Sequence, residues 1–400
     1  MSDPSARIGA SASTASGEFG LIARHFTRPD RASRALLGVG DDCALLVPAR
    51  GALAVSTDML LEGRHFFADA DPESLGHKAL AVNLSDLAAM GAAPIAFTLA
   101  VALPRLDDAW LSSFARGLFA LADQHQCELV GGDTTRGPLN LCITVMGEVS
   151  PAQALRRDGA RTGDDLWVSG SLGGAAWSVA HRQRSGGWAR PAEVRADAFE
   201  CALSALHRPQ PRIALGLALR GLASAAIDLS DGLAGDLRHI LERSSRACGE
   251  SLTARIDLAH LPLHPVLHGM TCESQWRLAL AGGDDYELLF TAAPEYRQDL
   301  ATIGERLGLP LTRIGIIEPA QPEPARPEPA RPEPAQPEPA RPEPAQPESA
   351  GPDEVAVESA TVRTTSGPGE AARLRLIDAQ GHPVMLSLQA HDHFLSGMDS

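Results

Sequence analysis

The 400-residue chain has almost no lysine: Lys78 is the only one, and every other basic side chain is an arginine. His77 precedes Lys78, so the glycine-lysine pair that ends a phosphate-binding P-loop (G-x-x-x-x-G-K) does not occur. Acidic side chains also outnumber basic ones, with 50 Asp and Glu against 35 Lys and Arg, so the formal net charge is -15 at pH 7. Nucleic-acid-binding proteins usually carry a basic stripe, so this class is disfavoured. Any nucleotide must therefore be bound without a P-loop. Cations or backbone amides must then offset the repulsion between the acidic surface and the phosphates.

Long apolar runs are missing as well. No stretch of about 18 apolar residues occurs, so we expect no membrane span and no membrane partner. Residues 1–16 are rich in Ser, Ala and Gly and lack the apolar core of a signal peptide, which predicts a short disordered tail. The six cysteines are scattered, without a CxxC pair or metal-ligand spacing. Reduced, mostly buried thiols in a cytoplasmic protein are the interpretation we favour.

Apolar stretches and turn residues alternate along the chain, which predicts an α/β (α+β layered) architecture. Residues 72–90 predict a helix that starts with a proline and ends before glycine and proline, and 95–103 predict a buried strand. A second α/β unit is expected after the junction at 161–165. The expected boundaries are 1–16 for the tail, 17–150 for an N-terminal domain, 151–318 for a C-terminal domain, 319–366 for an insertion, and 367–400 for a C-terminal hairpin and tail that complete the second domain.

A Pro-Glu-Pro-Ala-Arg/Gln repeat with a five-residue period fills the insertion up to about residue 352. Frequent proline removes backbone donors and excludes helix and sheet, which predicts an extended, polyproline-like rod. Two interpretations stay open. The rod is either an insertion tolerated in a surface loop, which we favour, or a docking segment for a partner.

Acidic residues recur in glycine turns and at the ends of apolar strands. These motifs occupy 40–42, 56–58, 83–86, 131–133, 227–231 and 282–285. A single Asp-Gly turn is more often plain turn chemistry than a site. Ligands of α/β proteins, however, bind at the carboxyl ends of strands, where several such loops converge. Asp86 also lies on the predicted helix three residues after Asn83, so both polar groups face one side of it.

Carboxylates gathered in this way repel one another unless cations neutralise them. Mg²⁺ prefers carboxylate, water and phosphate oxygens, so several Mg²⁺ ions bridging the aspartates to a triphosphate would neutralise both. Two further features suit phosphate. The glycine loop at 169–174 follows a strand and opens a helix, where its amides either cradle an anion or allow close helix–strand packing. Arg136, Arg156 and Arg157 lie in or after polar loops and supply fixed positive charge, although each alone is an ordinary surface arginine.

Seven motifs occur in an order and spacing that resemble the thiamine-monophosphate kinase family. They are GEFGLIARHF (17–26), GVGDDCALL (38–46), STDMLLEGRHF (56–66), KALAVNLSDLAAMGAAP (78–94), GGDTTRGPL (131–139), SAAIDLSDGLAGDL (224–237) and GGDDYELLFT (282–291). The resemblance runs from about residue 17 to 317 and resumes in the C-terminal hairpin. It implies a two-domain aminoimidazole-ribonucleotide-synthetase-like fold, with 17–150 as the ATP- and metal-binding domain. It also implies a homodimer whose N-terminal sheets pair in a barrel.

The same resemblance implies the site residues. The implied Mg²⁺ ligands are Asp42, Ser56, Thr57, Asp58, Asp86, Asp133, Asp228 and Asp231. The implied ATP contacts are Gly132, Asp133, Arg157 and Ser230. Thiamine monophosphate would meet His65, Asp284 and His391. The chain departs from the family at two of these positions, because Asp284 replaces a glutamate and His391 replaces an aromatic residue.

The implied reaction is ATP plus thiamine monophosphate giving thiamine diphosphate plus ADP by direct in-line transfer. The attacking phosphate is ionised at neutral pH, so no general base is expected, and we find no Ser-His-Asp array. One alternative is another enzyme of the same superfamily, acting on an aminoimidazole precursor, selenide or a carbamoyl group. The other is a scaffold that docks partners through the proline rod, although the intact acidic motifs favour catalysis.

Overall fold

The structure, a computed structural model, describes residues 22, 24–28, 35–37, 45–46, 51–320 and 374–386. The predicted tail, the proline repeat beyond residue 320, Asp42 and His391 lie outside these residues, and what we expect of them stays a prediction. Two main sheets organise the described chain. A four-stranded sheet lies in the first half and a six-stranded sheet in the second.

The first half alternates strands and helices as the sequence predicts. Its elements are β1 (Ala35–Leu37), β2 (Leu45–Leu46), β3 (Ala52–Leu61), α1 (Pro72–Ala89), β4 (Ala93–Leu103), α2 (Asp108–Gln124), β5 (Glu128–Arg136) and β6 (Asn140–Val149). Within the described residues β1 pairs with β2, and the longer strands form a sheet in the order β3-β6-β4-β5. β4 and β5 are parallel, whereas β6 is antiparallel to both β3 and β4.

α1 is the element on which the two halves of the chain meet. It starts at Pro72, and the preceding Asp71 caps it by accepting a 2.8 Å hydrogen bond from the N–H of Ser74. Most of the helix is buried, because α2 covers one side and the second half of the chain covers another. Gly76 permits the close crossing with α2, since a Cβ there would lie 2.0 Å from the carbonyl oxygen of Phe114.

The second half is built on the larger sheet. Its elements are β7 (Asp165–Ser169), α3 (Gly174–Ser185), α4 (Ala196–His207), α5 (Ile213–Ala218), β8 (Ala223–Asp228), α6 (Leu233–Cys248), β9 (Leu252–Asp257), α7 (Cys272–Ala281), β10 (Leu288–Ala292), α8 (Arg297–Leu307), β11 (Leu311–Pro319) and β12 (Leu374–Ile377). The strand order is β12-β9-β11-β7-β10-β8. Among the strand pairs that the structure describes in this sheet, β12 and β9 run parallel and the others are antiparallel.

The two halves pack directly against each other through α1 and α5. Gly216 of α5 lies against α1, where a Cβ would be 2.0 Å from the carbonyl oxygen of Ala88. The guanidinium of Arg220 donates a 2.6 Å hydrogen bond from Nε to the carbonyl oxygen of Gly91, just beyond α1. Buried residues of α5 belong to the same apolar cluster as those of α1 and α2. These contacts place the middle of β3, the C-terminal end of α1 and the end of β8 around one cleft.

The predicted alternation of helices and strands is confirmed, including the helix at 72–90, which the structure ends at Ala89. Two elements of the second half were not predicted, namely β9 and α7. Among the residues that the structure describes, no helix is both long and apolar enough to span a membrane. The barrel-forming dimer and the domain boundaries stay predictions.

Candidate acidic site between the two sheets

Three aspartates from different elements face one another in the cleft: Asp58 on β3, Asp86 on α1 and Asp228 at the end of β8. Residues of β3 alternate in exposure, and the less exposed side carries Ser56 and Asp58. The hydroxyl of Ser56 donates a hydrogen bond to Asp86. The backbone N–H of Asp58 donates one of 3.1 Å to Oδ1 of Asn83. Strand and helix are thereby fixed together at the acidic cluster.

The electrostatics of these three carboxyls show that negative charge is crowded. Burial raises the pKa of Asp58 to about 6, and the charge of Asp86 adds to this. Burial and then Asp86 raise the pKa of Asp228 to about 7. The pKa of Asp86 is also raised by burial, against the lowering effects of the Ser56 hydrogen bond and the charge of Arg157. The cluster therefore favours an added cation.

Asp236, in the first turn of α6, is a site residue that the sequence analysis did not identify. Its Oδ2 accepts hydrogen bonds from the backbone N–H groups of Ser230 (3.1 Å) and Asp231 (3.2 Å). Burial raises its pKa to about 8, with smaller contributions from Asp228 and Asp231. Asp236 thus holds the turn that carries the predicted ATP contact Ser230 and the predicted metal ligand Asp231. The third carboxylate of the DLSDGLAGD motif was the available signal, because it falls in the first turn of the predicted helix.

A second loop, at 282–286, borders the cluster. Asp284 and Tyr286 both have positive φ angles, 69° and 48°, which non-glycine residues seldom adopt. Oδ2 of Asp284 lies 3.0 Å from Nζ of Lys78 on α1, and Oδ1 accepts a 3.0 Å hydrogen bond from the hydroxyl of Tyr286. Asp284 therefore joins the two halves of the chain at the edge of the acidic site.

The glycine loop at 169–174 has a packing role in this structure. The N–H of Gly173 donates to both carboxylate oxygens of Asp285, at 3.0 and 3.1 Å. A Cβ on Gly174 would lie 2.7 Å from the ring of His264. The N–H of Leu172 is also engaged, by the carbonyl oxygen of Pro262. Of the two interpretations of this loop, the structure supports close packing.

Thr57 points away from the acidic cluster. Its Oγ1 lies 2.8 Å from Oγ1 of Thr144 on the more exposed face of the first sheet, opposite to the side chain of Asp58. The structure therefore does not bring the Thr57 hydroxyl to the other predicted ligands. Its backbone, which lies between Ser56 and Asp58, remains at the site.

Gly132 and Asp133 are likewise distant within one chain. They lie on β5, and the pairing rows place Gly132 in line with Asp58 and Asp133 in line with Met59. β5 and β3 are opposite edges of the four-stranded sheet, which separates them by about 14 Å. Asp133 is exposed and lies on the same face of the sheet as Met59. Within one chain, Asp133 and Asp58 are therefore too far apart to bind the same metal ion.

His65 and Arg157 take different positions around the cleft. His65 lies in the turn after β3, where its Nδ1 accepts a 3.0 Å hydrogen bond from the N–H of Leu61. Arg157 lies near enough to Asp86 and Asp228 to lower the pKa of both carboxyls. It also lines a cavity of about 350 Å³ together with Ser56, Asp86, Arg156 and Arg243. Aliphatic side chains form another wall of this cavity.

The donor set fits Mg²⁺ that is held partly by other oxygens. In the part of the chain that the structure describes, no group of three or more His, Cys, Asp or Glu side chains is close enough to hold a metal ion alone. Asp58, Asp86 and Asp228 are nevertheless hard oxygen donors, and their pKa values are raised mainly by burial, with nearby carboxylates adding to the effect at Asp58 and Asp228. Mg²⁺ usually binds through one or two carboxylates and completes its shell with water and phosphate oxygens.

Comparisons with known proteins identify the family. Residues 40–149 match the family model described as AIR synthase related protein, N-terminal domain. The thiamine-monophosphate kinase of Escherichia coli (strain K12) is 48% identical over 305 residues, which cover 75% of this chain and 90% of that protein. The chain belongs to the thiamine-monophosphate kinase family.

Solved structures agree with this assignment. The thiamine-monophosphate kinase from Stenotrophomonas maltophilia K279a is 47% identical, with a TM-score of 0.67, and the match covers 75% of this chain and 92% of that one. AaThiL complexed with AMPPCP and TMP is 28% identical, with a TM-score of 0.59, and the match covers 76% and 92%. The predicted family, enzyme class and aminoimidazole-ribonucleotide-synthetase-like fold are confirmed. The roles of individual site residues stay predictions.

Proposed function

We propose that the chain transfers the γ-phosphoryl group of ATP to thiamine monophosphate, giving thiamine diphosphate and ADP, with Mg²⁺ as cofactor. One observation carries this proposal: Asp58, Asp86 and Asp228 come from both halves of the chain and converge in one cleft. Membership of the thiamine-monophosphate kinase family supports the choice of acceptor. The complex of AaThiL with AMPPCP and TMP supports binding of both substrates.

The residues of the chain act by positioning and by charge. Bound Mg²⁺ would screen the charge between the aspartates and the phosphates and would stabilise the charge of the in-line transition state. Ser56 and Asn83 hold Asp86 and the backbone of Asp58 in place. Arg157 adds a fixed positive charge beside Asp86 and Asp228. No side chain needs to remove a proton, because the attacking phosphate oxygen is already ionised.

The homodimer belongs to the same proposal. Leu53, Val55 and Met59 of β3 are about half exposed, on the face of the first sheet opposite to α1. Apolar side chains grouped on one sheet face typically mark an interaction surface. A second copy of the chain on this face would cover them and would bring further side chains to the exposed Asp133.

A cytoplasmic location is also part of the proposal. The five cysteines in the described part of the chain are all free thiols. Free thiols persist in reducing compartments, which agrees with the reduced state expected from the sequence. The expectation that these thiols are mostly buried is wrong, because Cys201, Cys248 and Cys272 are exposed and only Cys127 of the five is buried.

The substrate assignment can be tested with purified protein and ATP·Mg²⁺. The protein is offered thiamine, thiamine monophosphate and an aminoimidazole ribonucleotide precursor in parallel, and ADP release is measured together with the phosphorylated product. We expect turnover with thiamine monophosphate alone. Phosphorylation of free thiamine, or of the aminoimidazole precursor alone, would overturn the assignment.

A further inference from the structure

Ser85 carries a buried hydroxyl on α1, one residue before Asp86. The residue is fully buried, and its Oγ forms no hydrogen bond with any atom in the part of the chain that the structure describes. A buried polar group without a partner is uncommon in folded proteins, because it gives up its hydration and receives no other bond. The unpaired hydroxyl therefore indicates a partner other than the described chain.

The hydroxyl of Ser85 does not use the acceptor that its own helix offers. A serine inside a helix commonly bonds to the carbonyl oxygen four residues earlier. The Oγ of Ser178 in α3 donates such a bond of 3.0 Å to Gly174, and the Oγ of Ser185 donates one of 2.9 Å to His181. The equivalent acceptor for Ser85 is the carbonyl oxygen of Ala81, and the two are not bonded. The Ser85 hydroxyl is thus available to a group outside α1.

That group lies at the acidic cluster, because the Ser85 hydroxyl faces Asp228. Burial and then the charge of Asp86 raise the pKa of Asp228 to about 7, and the Ser85 hydroxyl acts in the opposite direction. Ser85 belongs to the first half of the chain and Asp228 to the second, at the end of β8. The hydroxyl therefore lies where the two halves meet around the predicted metal ligands.

The other polar side chains of the motif at 83–86 already have partners. Asn83 accepts a hydrogen bond from the N–H of Asp58. Asp86 accepts one from the hydroxyl of Ser56. Ser85 differs from both, since its Oγ is unpaired among the described residues. Its position beside two carboxylates suits an interaction with what those carboxylates bind.

We propose that Ser85 is a positioning residue for Mg²⁺: its Oγ accepts a hydrogen bond from the water shell of the ion held by Asp86 and Asp228, and its proton is donated to Asp228. This inference rests on the function proposed above, which supplies the Mg²⁺. A hydroxyl has one donor and two acceptor lone pairs, so both bonds can form together. Mg²⁺ usually keeps several waters and binds through one or two carboxylates, which brings water next to a hydroxyl at this place.

The test measures metal binding separately from turnover. The Mg²⁺ complex of AMPPCP, an analogue of ATP that does not transfer its phosphate, is titrated into the protein by isothermal titration calorimetry. For Ser85→Ala we expect the affinity to fall roughly 10- to 100-fold, the usual range for a side chain that supports metal ligands without binding the metal. The melting temperature of the Mg²⁺-free protein should stay the same or rise, because the hydroxyl that is removed has no partner there.

Ser178→Ala is the matched control, because Ser178 is also fully buried on a helix and its hydroxyl is bonded within that helix. This variant should lower the melting temperature slightly and leave the affinity for the Mg²⁺ complex unchanged. The steady-state kinetics give an independent readout. In Ser85→Ala the Mg²⁺ concentration for half-maximal turnover should rise, while the KM for thiamine monophosphate at saturating Mg²⁺ stays unchanged.

An affinity for the Mg²⁺ complex that is unchanged in Ser85→Ala would show that the hydroxyl does not meet the ion, and the proposal would be wrong. A lower melting temperature of Ser85→Ala without Mg²⁺ would also overturn it, because the hydroxyl would then only link the two halves of the chain. If the unaltered protein does not bind the Mg²⁺ complex of AMPPCP, the proposed function itself fails.

Discussion

The amide side chain of Asn83 joins α1 to β3, because its Oδ1 accepts a 3.1 Å hydrogen bond from the backbone N–H of Asp58. Its Nδ2 donates a 2.9 Å hydrogen bond to the carbonyl oxygen of Ala79 on the same helix. Asn83 is 1% exposed, so water does not replace these bonds easily. The position of Asp58 relative to Asp86 therefore depends on a buried amide that would not itself bind a ligand.

We expect Asn83→Ala to lower the free energy of unfolding by about 1–3 kcal/mol, because the N–H of Asp58 loses its acceptor inside the protein. Urea unfolding measures this change. The kcat should fall as well, since the strand is no longer fixed to the helix at the acidic site. Ala122→Gly, a truncation at a buried position of α2, is the control. A loss of stability with normal kcat would show that Asn83 does not position the site.

Asp228→Asn should separate metal binding from folding. Asp228 is 4% exposed and lies beside Asp86 and Asp58, so removing its charge relieves repulsion in the metal-free protein. We expect a higher melting temperature without Mg²⁺, and a smaller increase when Mg²⁺ and ATP are added, because one oxygen donor is weakened. Turnover should fall at least about 100-fold at saturating Mg²⁺, as expected when transition-state charge loses its stabilisation.

Calorimetric scans with and without Mg²⁺ check the first two effects, and a coupled ADP assay checks the third. Asp197→Asn is a suitable control, since Asp197 lies on the exposed start of α4 and pairs with Arg195. Unchanged stabilisation by Mg²⁺ in Asp228→Asn would contradict the assignment of this residue as a ligand.

Asp236→Ala should disturb the turn at 230–231 without removing any predicted ligand. Two backbone N–H groups lose a common acceptor, and we expect a loss of about 2 kcal/mol in unfolding free energy. The KM for ATP should rise, because Ser230 is no longer held in place. Asp236→Asn retains one acceptor oxygen and should recover most of both properties. If both variants behave alike, the charge of Asp236, and not its hydrogen bonds, is what the site needs.

His264 should contribute a pH-dependent part of stability. Its Nδ1 accepts a 3.2 Å hydrogen bond from the N–H of Val266, and burial, assisted by His268, lowers its pKa to about 4. The unfolded chain binds the proton more readily, so this stability is full above about pH 6.5 and is lost as the pH falls toward 4. We expect His264→Gln to remove about 3 kcal/mol of that pH dependence, since one pKa unit corresponds to about 1.4 kcal/mol.

Urea unfolding of the two proteins at several pH values between about 4 and 7 measures the difference in slope. His260→Gln, at an exposed position in the same region, provides the comparison. A slope that is identical in His264→Gln and the unaltered protein would show that the ring does not stay neutral in the folded state.

Most of the fold could be predicted because periodicity and turn residues mark its elements clearly. The helix at 72–90 has a proline at its start and a glycine after its end. β9 was missed because residues 252–257 mix Thr and Arg into a short run, and its burial comes from pairing with strands distant in sequence. α7 was missed because few of its residues are buried, which leaves a weak apolar pattern.

The site could be predicted only in part, since spacing does not show which face of a strand a side chain takes. The orientation of Thr57 follows from the alternation of β3, and a strict period of two would have separated it from Ser56 and Asp58. The pairing of Lys78 with Asp284 joins positions 206 residues apart, and nothing local in the sequence indicates it. The same is true of the row that aligns Asp133 with Met59.

The proline repeat joins two strands on either side of β9. Pro319 at the end of β11 pairs with Leu252, and Leu374 at the start of β12 pairs with Ala254, so the chain leaves and re-enters the sheet at the same end, about 10 Å apart. Because closing a longer loop costs only about 0.6 kcal/mol for each doubling of its length, whole five-residue units can be gained or lost at this point. β8, which carries Asp228, is the far edge of that sheet. We therefore expect a change in the number of repeats to leave the position of Asp228 unaltered.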